Sequence, residues 1–227
     1  ERVNVYPDTL CWIRDFTYSY NEPWATRYSW HPGFDEYPVV VVTWKQARAF
    51  CNWRTKYQND YLARQGKPSL MEYRLPTETE WEYAARGGLS GLRFPWGDTI
   101  SHSLANYSSS SFFSWDISPT RGYHPVFSTG VLPYVYPYTS PPGSFAPNGY
   151  GLYDMSGNVE EWTWDWYGAA YYNSSPAENP TGPQTGTYRV YRGGGWALGP
   201  MSCRAFGRMR SSPDSNGGGF RAVRRAP

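Results

Sequence analysis

The chain has 227 residues, enough to enclose one full hydrophobic core, and no segment reads as a linker, so we expect a single domain over residues 1–227. Its net charge is only +2, and the arginines and lysines are scattered. This balance does not favour binding to nucleic acid or to an anionic membrane surface. No apolar segment approaches the roughly 20 residues of a transmembrane helix, so no membrane span is expected.

Aromatic residues and turn formers are both unusually frequent. The sequence contains 12 Trp, 21 Tyr, 23 Gly and 20 Pro. This mixture favours a loop-rich fold held together by aromatic packing, and it is common outside the cytoplasm. The three cysteines, Cys11, Cys51 and Cys203, lie too far apart for a zinc motif and allow at most one disulfide. The pairing of Cys11 with Cys51 stays open, although Cys51 falls on the apolar stripe of a predicted helix, as a buried thiol does.

A strand and a helix are predicted in the first third of the chain. The β-branched run Val39–Val42 is typical of a short buried strand. Thr43 and Gln46 then form the spacing of a capping box, which predicts a helix that stops near Gly66.

A second helix has equally clear boundaries. Thr77 and Glu80 match a capping box, and Gly87 follows as a stop signal. Residues 89–146 are rich in Ser, Pro, Tyr and Gly but also in Phe and Trp. We therefore expect ordered loops there, packed by aromatic side chains, and not a disordered linker.

Short strands are predicted towards the C-terminus. Trp162, Trp164 and Trp166 alternate with Thr163 and Asp165, which predicts a strand with the three indoles on one face. The segments "YRVYRGGGW" and "GGGFRAVRR" predict two more strands, in which the glycine triplets let the backbone pass close to its neighbours.

Seven motifs occur in order along the chain: "RLPTETEWEYAARGG", "FPWGD", "ANY", "NGYGLYDMSGNVEEW", "YRGGGW", "CRAFGR" and "GFR". With this order and spacing, the chain resembles the formylglycine-generating (sulfatase-modifying) family from about Val39 to Arg224. The resemblance implies an α+β fold like that of C-type lectins, loop-rich with few helices and short strands.

The N-terminal third resembles a subgroup of the same family. The segments "YPDTLCWIRDFTYSYNEP" and "YPVVVVTWKQARAFCNWRT" are similar to gliding-motility and type IX secretion lipoproteins, which are regarded as structural parts of an envelope machine. This resemblance implies an extracytoplasmic location and an oligomer. The chain begins at Glu1 and not at Met, which allows a processed form of a longer precursor with a lipid anchor.

The family's oxidation chemistry depends on copper(I) held by a pair of thiolates, since this soft ion prefers soft ligands. Aligned on "GGGW", the second of these cysteines is Cys203, whereas the first is replaced by Leu198 and a usual serine by Gly195. Met201 is a soft side chain nearby, but methionine usually fills a gap in packing. We therefore expect no copper, and Cys203 as a remnant and not a catalytic residue; the alternative is a copper-dependent oxidase with an altered site.

The resemblance also implies a calcium site. The family's ligand positions fall on Asp154, Gly157, Val159 and Glu161, which supply two carboxylates and two backbone carbonyls, the oxygen ligands that calcium prefers. The alternative is a capped turn with solvated acids. A second site would begin at Asn106, but its later aspartate has no clear counterpart.

Relatives use the C-terminal surface of this fold to recognise protein partners. On this chain that surface would contain Trp196, Leu198, Met201, Ser211 and Asn216. Their mixture of apolar and small polar groups suits recognition of a protein partner or self-association. We therefore expect a non-catalytic binding or structural module in a cell-surface or envelope assembly.

Overall fold

The computed structural model describes residues 3–6, 8–15, 23–131 and 134–225. They form a mixed α and β fold with few helices and short strands, which confirms the predicted architecture. The helices are α1 (Cys11–Asp15), α2 (Pro23–Arg27), α3 (Trp44–Arg64) and α4 (Glu78–Arg86), with 3₁₀ turns at Pro32–Phe34 and Tyr171–Asn173. The strands are β1 (Ser128–Val131), β2 (Tyr134–Pro137), β3 (Glu161–Trp166), β4 (Arg189–Arg192) and β5 (Met209–Ser211). Within the described ranges no helix is long and apolar enough to cross a bilayer.

Local capping interactions bound the two longest helices, as predicted. Thr43 Oγ1 accepts the backbone N–H of Gln46 at 3.1 Å, and Gln46 Oε1 accepts that of Thr43 at 2.8 Å. Thr77 and Glu80 exchange the same two hydrogen bonds at the start of α4. The cap after α4 is Gly87, whose φ of 56° is a left-handed conformation that glycine adopts without strain.

Strands β3, β4 and β5 form an antiparallel sheet in that order, and β1 and β2 form a separate antiparallel hairpin. Strand β4 lies within the "YRVYRGGGW" segment, as predicted. The hairpin falls within residues 89–146, where only loops were expected, and β5 was not predicted. Strands of three or four residues are too short to show a reliable alternation.

The prediction that three tryptophans share one face of β3 was wrong. Trp162 is fully buried, whereas Trp164 is 37% exposed, and Thr163 and Asp165 are buried. The pairing register with β4 shifts between Trp162 and Trp166. Such an irregularity turns the strand, so that side chains beyond it no longer keep the simple two-residue alternation.

The glycine-rich tail passes between two other segments and is not a regular strand, which corrects the prediction for "GGGFRAVRR". It makes isolated bridges, Gly218 with Val42 and Gly219 with Glu161. A Cβ on Gly219 would lie 2.4 Å from the carbonyl oxygen of Val39, so the expected close backbone approach is confirmed.

The run Val39–Val42 is likewise not a strand. Val40, Val41 and Val42 are buried, but Val41 has a φ of 58° and the extended conformation is broken there. The hydrophobic pattern therefore predicted the burial of this segment and not its backbone.

Aromatic packing surrounds the C-terminal surface. The ring of Trp12 from α1 lies 5.0 Å from Trp24 and 5.4 Å from Trp196. Trp162 of β3 stacks on Tyr191 of β4 with ring centroids 3.7 Å apart. The contact of Trp12 with Trp196 joins the N-terminal segment to the loop that follows β4, whereas the stacking of Trp162 on Tyr191 lies within the sheet.

Candidate functional site

Cys203 is a buried thiol in an apolar cluster. It is 0% exposed and packs with Phe94, Ile100, Ala105 and Tyr107. Burial in this surrounding raises the pKa of the Cys203 thiol to about 12. The thiolate is the form that attacks electrophiles, so the raised pKa lowers the reactivity of the Cys203 thiol in the folded protein.

The positions that would face copper in the family open into a cavity that the Cys203 side chain does not line. Leu198 and Gly195 border this cavity of about 200 Å³. Met201 is 40% exposed and is not among the lining residues either. In the described part of the chain, no three His, Cys, Asp or Glu side chains are grouped so that they could hold a metal ion. All three cysteines are thiols and none is in a disulfide.

We refer to the cavity that Leu198 and Gly195 border as the Glu160 cavity. Glu160 is partly buried and receives no hydrogen bond or ion pair from another described residue. Burial raises the pKa of its carboxyl group to about 7. The cavity is lined by Cys11, Trp12, Val41, Glu160, Gly195, Trp196, Ala197, Leu198, Asn216 and Gly217.

Three of the five residues predicted for the recognition surface meet at this cavity. Trp196, Leu198 and Asn216 line it, whereas Met201 and Ser211 do not. None of the five is fully buried. The sequence motifs pointed to Glu161 but not to Glu160, Trp12 or Val41. The adjacent acids in "VEEW" were the available signal for Glu160; nothing local marks the other two, which come from distant parts of the chain.

The predicted calcium ligands border a second cavity, of about 390 Å³. Asp154, Val159 and Glu161 line it. Asp154 has a φ of 55°, and its Oδ2 is buried without a hydrogen-bond partner among the described residues. Burial raises the pKa of Asp154 to about 6. Gly157 is not a lining residue; its N–H donates to the carbonyl oxygen of Gly193 at 2.7 Å.

Two side chains already donate three hydrogen bonds to Glu161. Its Oε2 accepts Trp81 Nε1–H at 2.6 Å and Arg221 Nε–H at 2.5 Å, and its Oε1 accepts Arg221 Nη2–H at 2.5 Å. A carboxylate offers about four lone-pair sites, so one remains on Oε1. Glu161 therefore has one lone-pair site left for a cation, and that cation would lie near the positive charge of Arg221.

In the turn before β3, every second backbone carbonyl accepts a backbone hydrogen bond. Those of Asn158 and Glu160 accept the N–H groups of Trp196 and Gly219, both at 2.8 Å. For the described residues, no backbone hydrogen bond to the carbonyls of Gly157 or Val159 is found. Together with Asp154 Oδ2, these groups fit a hard cation by their chemistry, since calcium binds carboxylate and carbonyl oxygens.

Comparison with known proteins identifies the family of the chain. The family model described as "Sulfatase-modifying factor enzyme 1-like domain" matches residues 19–226. The formylglycine-generating enzyme of Streptomyces coelicolor is 37% identical over 196 residues, which is 84% of this chain and 54% of that protein. A Bos taurus protein named inactive C-alpha-formylglycine-generating enzyme 2 is 38% identical over 186 residues, 79% of this chain and 47% of its own length.

Among solved structures, PvdO from Pseudomonas aeruginosa is similar, with a TM-score of 0.61 and 27% identity, covering 84% of this chain and 63% of that one. This chain thus spans about half the length of the two curated relatives described above. It belongs to the formylglycine-generating, or sulfatase-modifying factor, family.

Proposed function

We propose that this chain is a non-catalytic recognition domain on the formylglycine-generating fold, acting outside the cytoplasm in a cell-surface or envelope assembly. The observation that carries the proposal is the state of Cys203. Its thiol is buried, its pKa is raised to about 12, and the partner position is Leu198. A bovine relative of similar identity is itself named inactive.

The energetics of thiol ionisation support this view. Burial raises the pKa of the Cys203 thiol to about 12, so the thiol stays protonated at neutral pH. Copper(I) is held well by paired thiolates, and on this chain one of the two aligned positions is the aliphatic Leu198. The chain has Leu198 and Gly195 where the family has a cysteine and a usual serine, but it keeps the motifs around them. This pattern favours a role other than oxidation.

Recognition is supported by the concave surface that Gly195 and Leu198 border. The Glu160 cavity combines apolar walls from Trp12, Trp196 and Leu198 with polar groups of Glu160 and Asn216. Pockets with mostly apolar linings and a few polar groups are typical of binding sites.

Calcium is proposed as a structural ion. Asp154, Gly157, Val159 and Glu161 would hold it, and its role would be to fix the turn before β3 by satisfying Asp154 Oδ2. Terbium(III), a luminescent substitute for calcium, provides the test because the Trp81 indole donates to Glu161 and lies close enough to sensitise it. We expect saturable luminescence that calcium displaces and that Asp154→Ala abolishes. Luminescence equal in Asp154→Ala and in the control Asp60→Ala would contradict the site.

Self-association is supported by one face of α3. Four aromatic side chains lie on one helical face and are exposed to solvent: Phe50, Trp53, Tyr57 and Tyr61. We propose that a second copy of the chain covers this face. Sedimentation over a concentration series should show association that Trp53→Ala weakens; a monomer at all concentrations would contradict it.

The non-catalytic role is tested directly with a substrate peptide. A peptide containing Cys-X-Pro-X-Arg is incubated with the protein, copper and oxygen, and a known formylglycine-generating enzyme serves as the positive control. We expect an unchanged peptide mass. Conversion of the peptide cysteine to formylglycine would overturn the proposal and favour an oxidase with an altered site.

A further inference from the structure

Among the described residues, no cation lies beside the partly buried Glu160, in contrast to the buried Glu78 and Glu161. Glu78 accepts two hydrogen bonds from Arg208, at 2.6 and 2.8 Å, and Glu161 is paired with Arg221. The Glu160 carboxylate has no such partner among the described residues. A partly buried carboxylate without a partner is costly, and a bound cation would remove that cost.

The surroundings of Glu160 also favour a cation. The described residues that line the cavity include no Arg, Lys or His, so nothing there attracts an anion. The indoles of Trp12 and Trp196 form part of the wall, with ring centroids 5.4 Å apart. Indole is the side chain to which cations bind best.

The size and acceptors of the cavity narrow the class of cation. A volume of about 200 Å³ holds a single side chain and not a drug-sized ligand. Its side-chain oxygen acceptors are the Glu160 carboxylate and the amide oxygen of Asn216, which makes no side-chain hydrogen bond to another described residue. These few acceptors suit the three donors of an ammonium group, whereas several of the five donors of a guanidinium would be left unpaired.

We propose that the Glu160 cavity binds an alkylammonium group, with the cation on Glu160 and Asn216 and the alkyl chain against Trp196 and Leu198. The inference deepens the proposed recognition function and rests on it. The cation would come from a lysine side chain of a protein partner or from a small free amine. Both carry the same alkylammonium group.

Binding is measured by titrating the 15N-labelled protein with Nα-acetyl-lysine amide and following the indole N–H signals of Trp12 and Trp196. The norleucine analogue has the same alkyl chain without the ammonium group. We expect the lysine probe to bind with a Kd on the order of millimolar and the norleucine probe at least about tenfold more weakly. Equal affinities for the two probes would overturn the proposal.

Two variants locate the cation. Glu160→Gln keeps the size of the side chain and should weaken the lysine probe at least about tenfold, whereas the exposed control Glu178→Gln should leave it unchanged. Thermal melting shows whether each variant is folded. Unchanged binding in folded Glu160→Gln would contradict the assignment.

A final comparison distinguishes a lysine side chain of a protein partner from a small free amine. It also distinguishes failure of the inference about the cavity from failure of the proposed non-catalytic function. Tighter binding of an Ala-Ala-Lys-Ala-Ala peptide than of butylamine supports a protein partner, and equal binding supports a small amine. If no amine binds and the substrate peptide stays unmodified, only the inference about the cavity is overturned. Peptide oxidation would overturn the non-catalytic function, whatever the amine result.

Discussion

Arg221 pairs with Glu161 through two hydrogen bonds of 2.5 Å, so a predicted calcium ligand is also one half of an ion pair. The two residues are 60 positions apart in the chain, and the pair ties the glycine-rich tail to the start of β3. Charge-assisted hydrogen bonds of this bidentate kind are among the strongest that proteins form.

Removal of this arginine should destabilise the fold. Arg221→Gln leaves the largely buried Glu161 carboxylate without its cation, which should cost about 3 kcal/mol in the free energy of unfolding. Urea denaturation measures the loss, with the exposed Arg225→Gln as the control. If calcium binds at Glu161, it should restore part of the loss in Arg221→Gln. A variant as stable as the wild type would show that the pair contributes little.

The Cys203 thiol should be inert in the folded protein. Because its burial and raised pKa suppress the thiolate, iodoacetamide at neutral pH should modify Cys203 only after denaturation. Peptide mass spectrometry after timed labelling identifies the modified cysteine. Rapid native labelling of Cys203 would contradict the structure and reopen the case for an oxidase.

Close backbone packing at Gly219 predicts a strong effect of one methyl group. In Gly219→Ala the new Cβ would lie 2.4 Å from Val39 O, so the two segments must separate, at a cost of about 2 kcal/mol or more. Gly199→Ala is a matched control, since nothing lies within 4 Å of its Cβ position. Melting temperatures of the two variants check the prediction, and equal values would contradict it.

Asp165 should make stability depend on pH. Burial raises its pKa to about 7; the hydrogen bond from the Glu78 backbone N–H and the charge of Arg208 lower the pKa, and the charge of Glu78 raises it. Arg189 and Tyr172 are the other ionisable groups coupled to it. The folded state therefore keeps a proton that the unfolded state loses above about pH 4, so stability falls as pH rises from about 4 to about 7.

The variant Asp165→Asn removes this titration and retains an oxygen that can accept the N–H of Glu78. Over that pH range its free energy of unfolding should rise relative to the wild type by roughly 1–4 kcal/mol. The exposed Asp98→Asn serves as the control for general effects of charge. A difference between Asp165→Asn and wild type that does not change with pH would show that the Asp165 pKa is not raised.

Local sequence signals determined the parts of the fold that depend on neighbours in the chain. Thr43 with Gln46 and Thr77 with Glu80 placed both helix starts correctly, because a capping box needs only residues three positions apart. The order of the motifs likewise identified the family, and the replacement of a copper ligand by Leu198 is visible in the sequence alone.

Only the tertiary structure decided which side chains meet and which remain without partners. Trp164 is exposed because the register of β3 shifts, which alternation along one strand cannot reveal. Of two adjacent glutamates, Glu161 receives Arg221 whereas Glu160 turns to a cavity lined by Trp12 from the other end of the chain. Pairing and burial arise from contacts between distant segments, and a pattern read along the chain contains no distances between them.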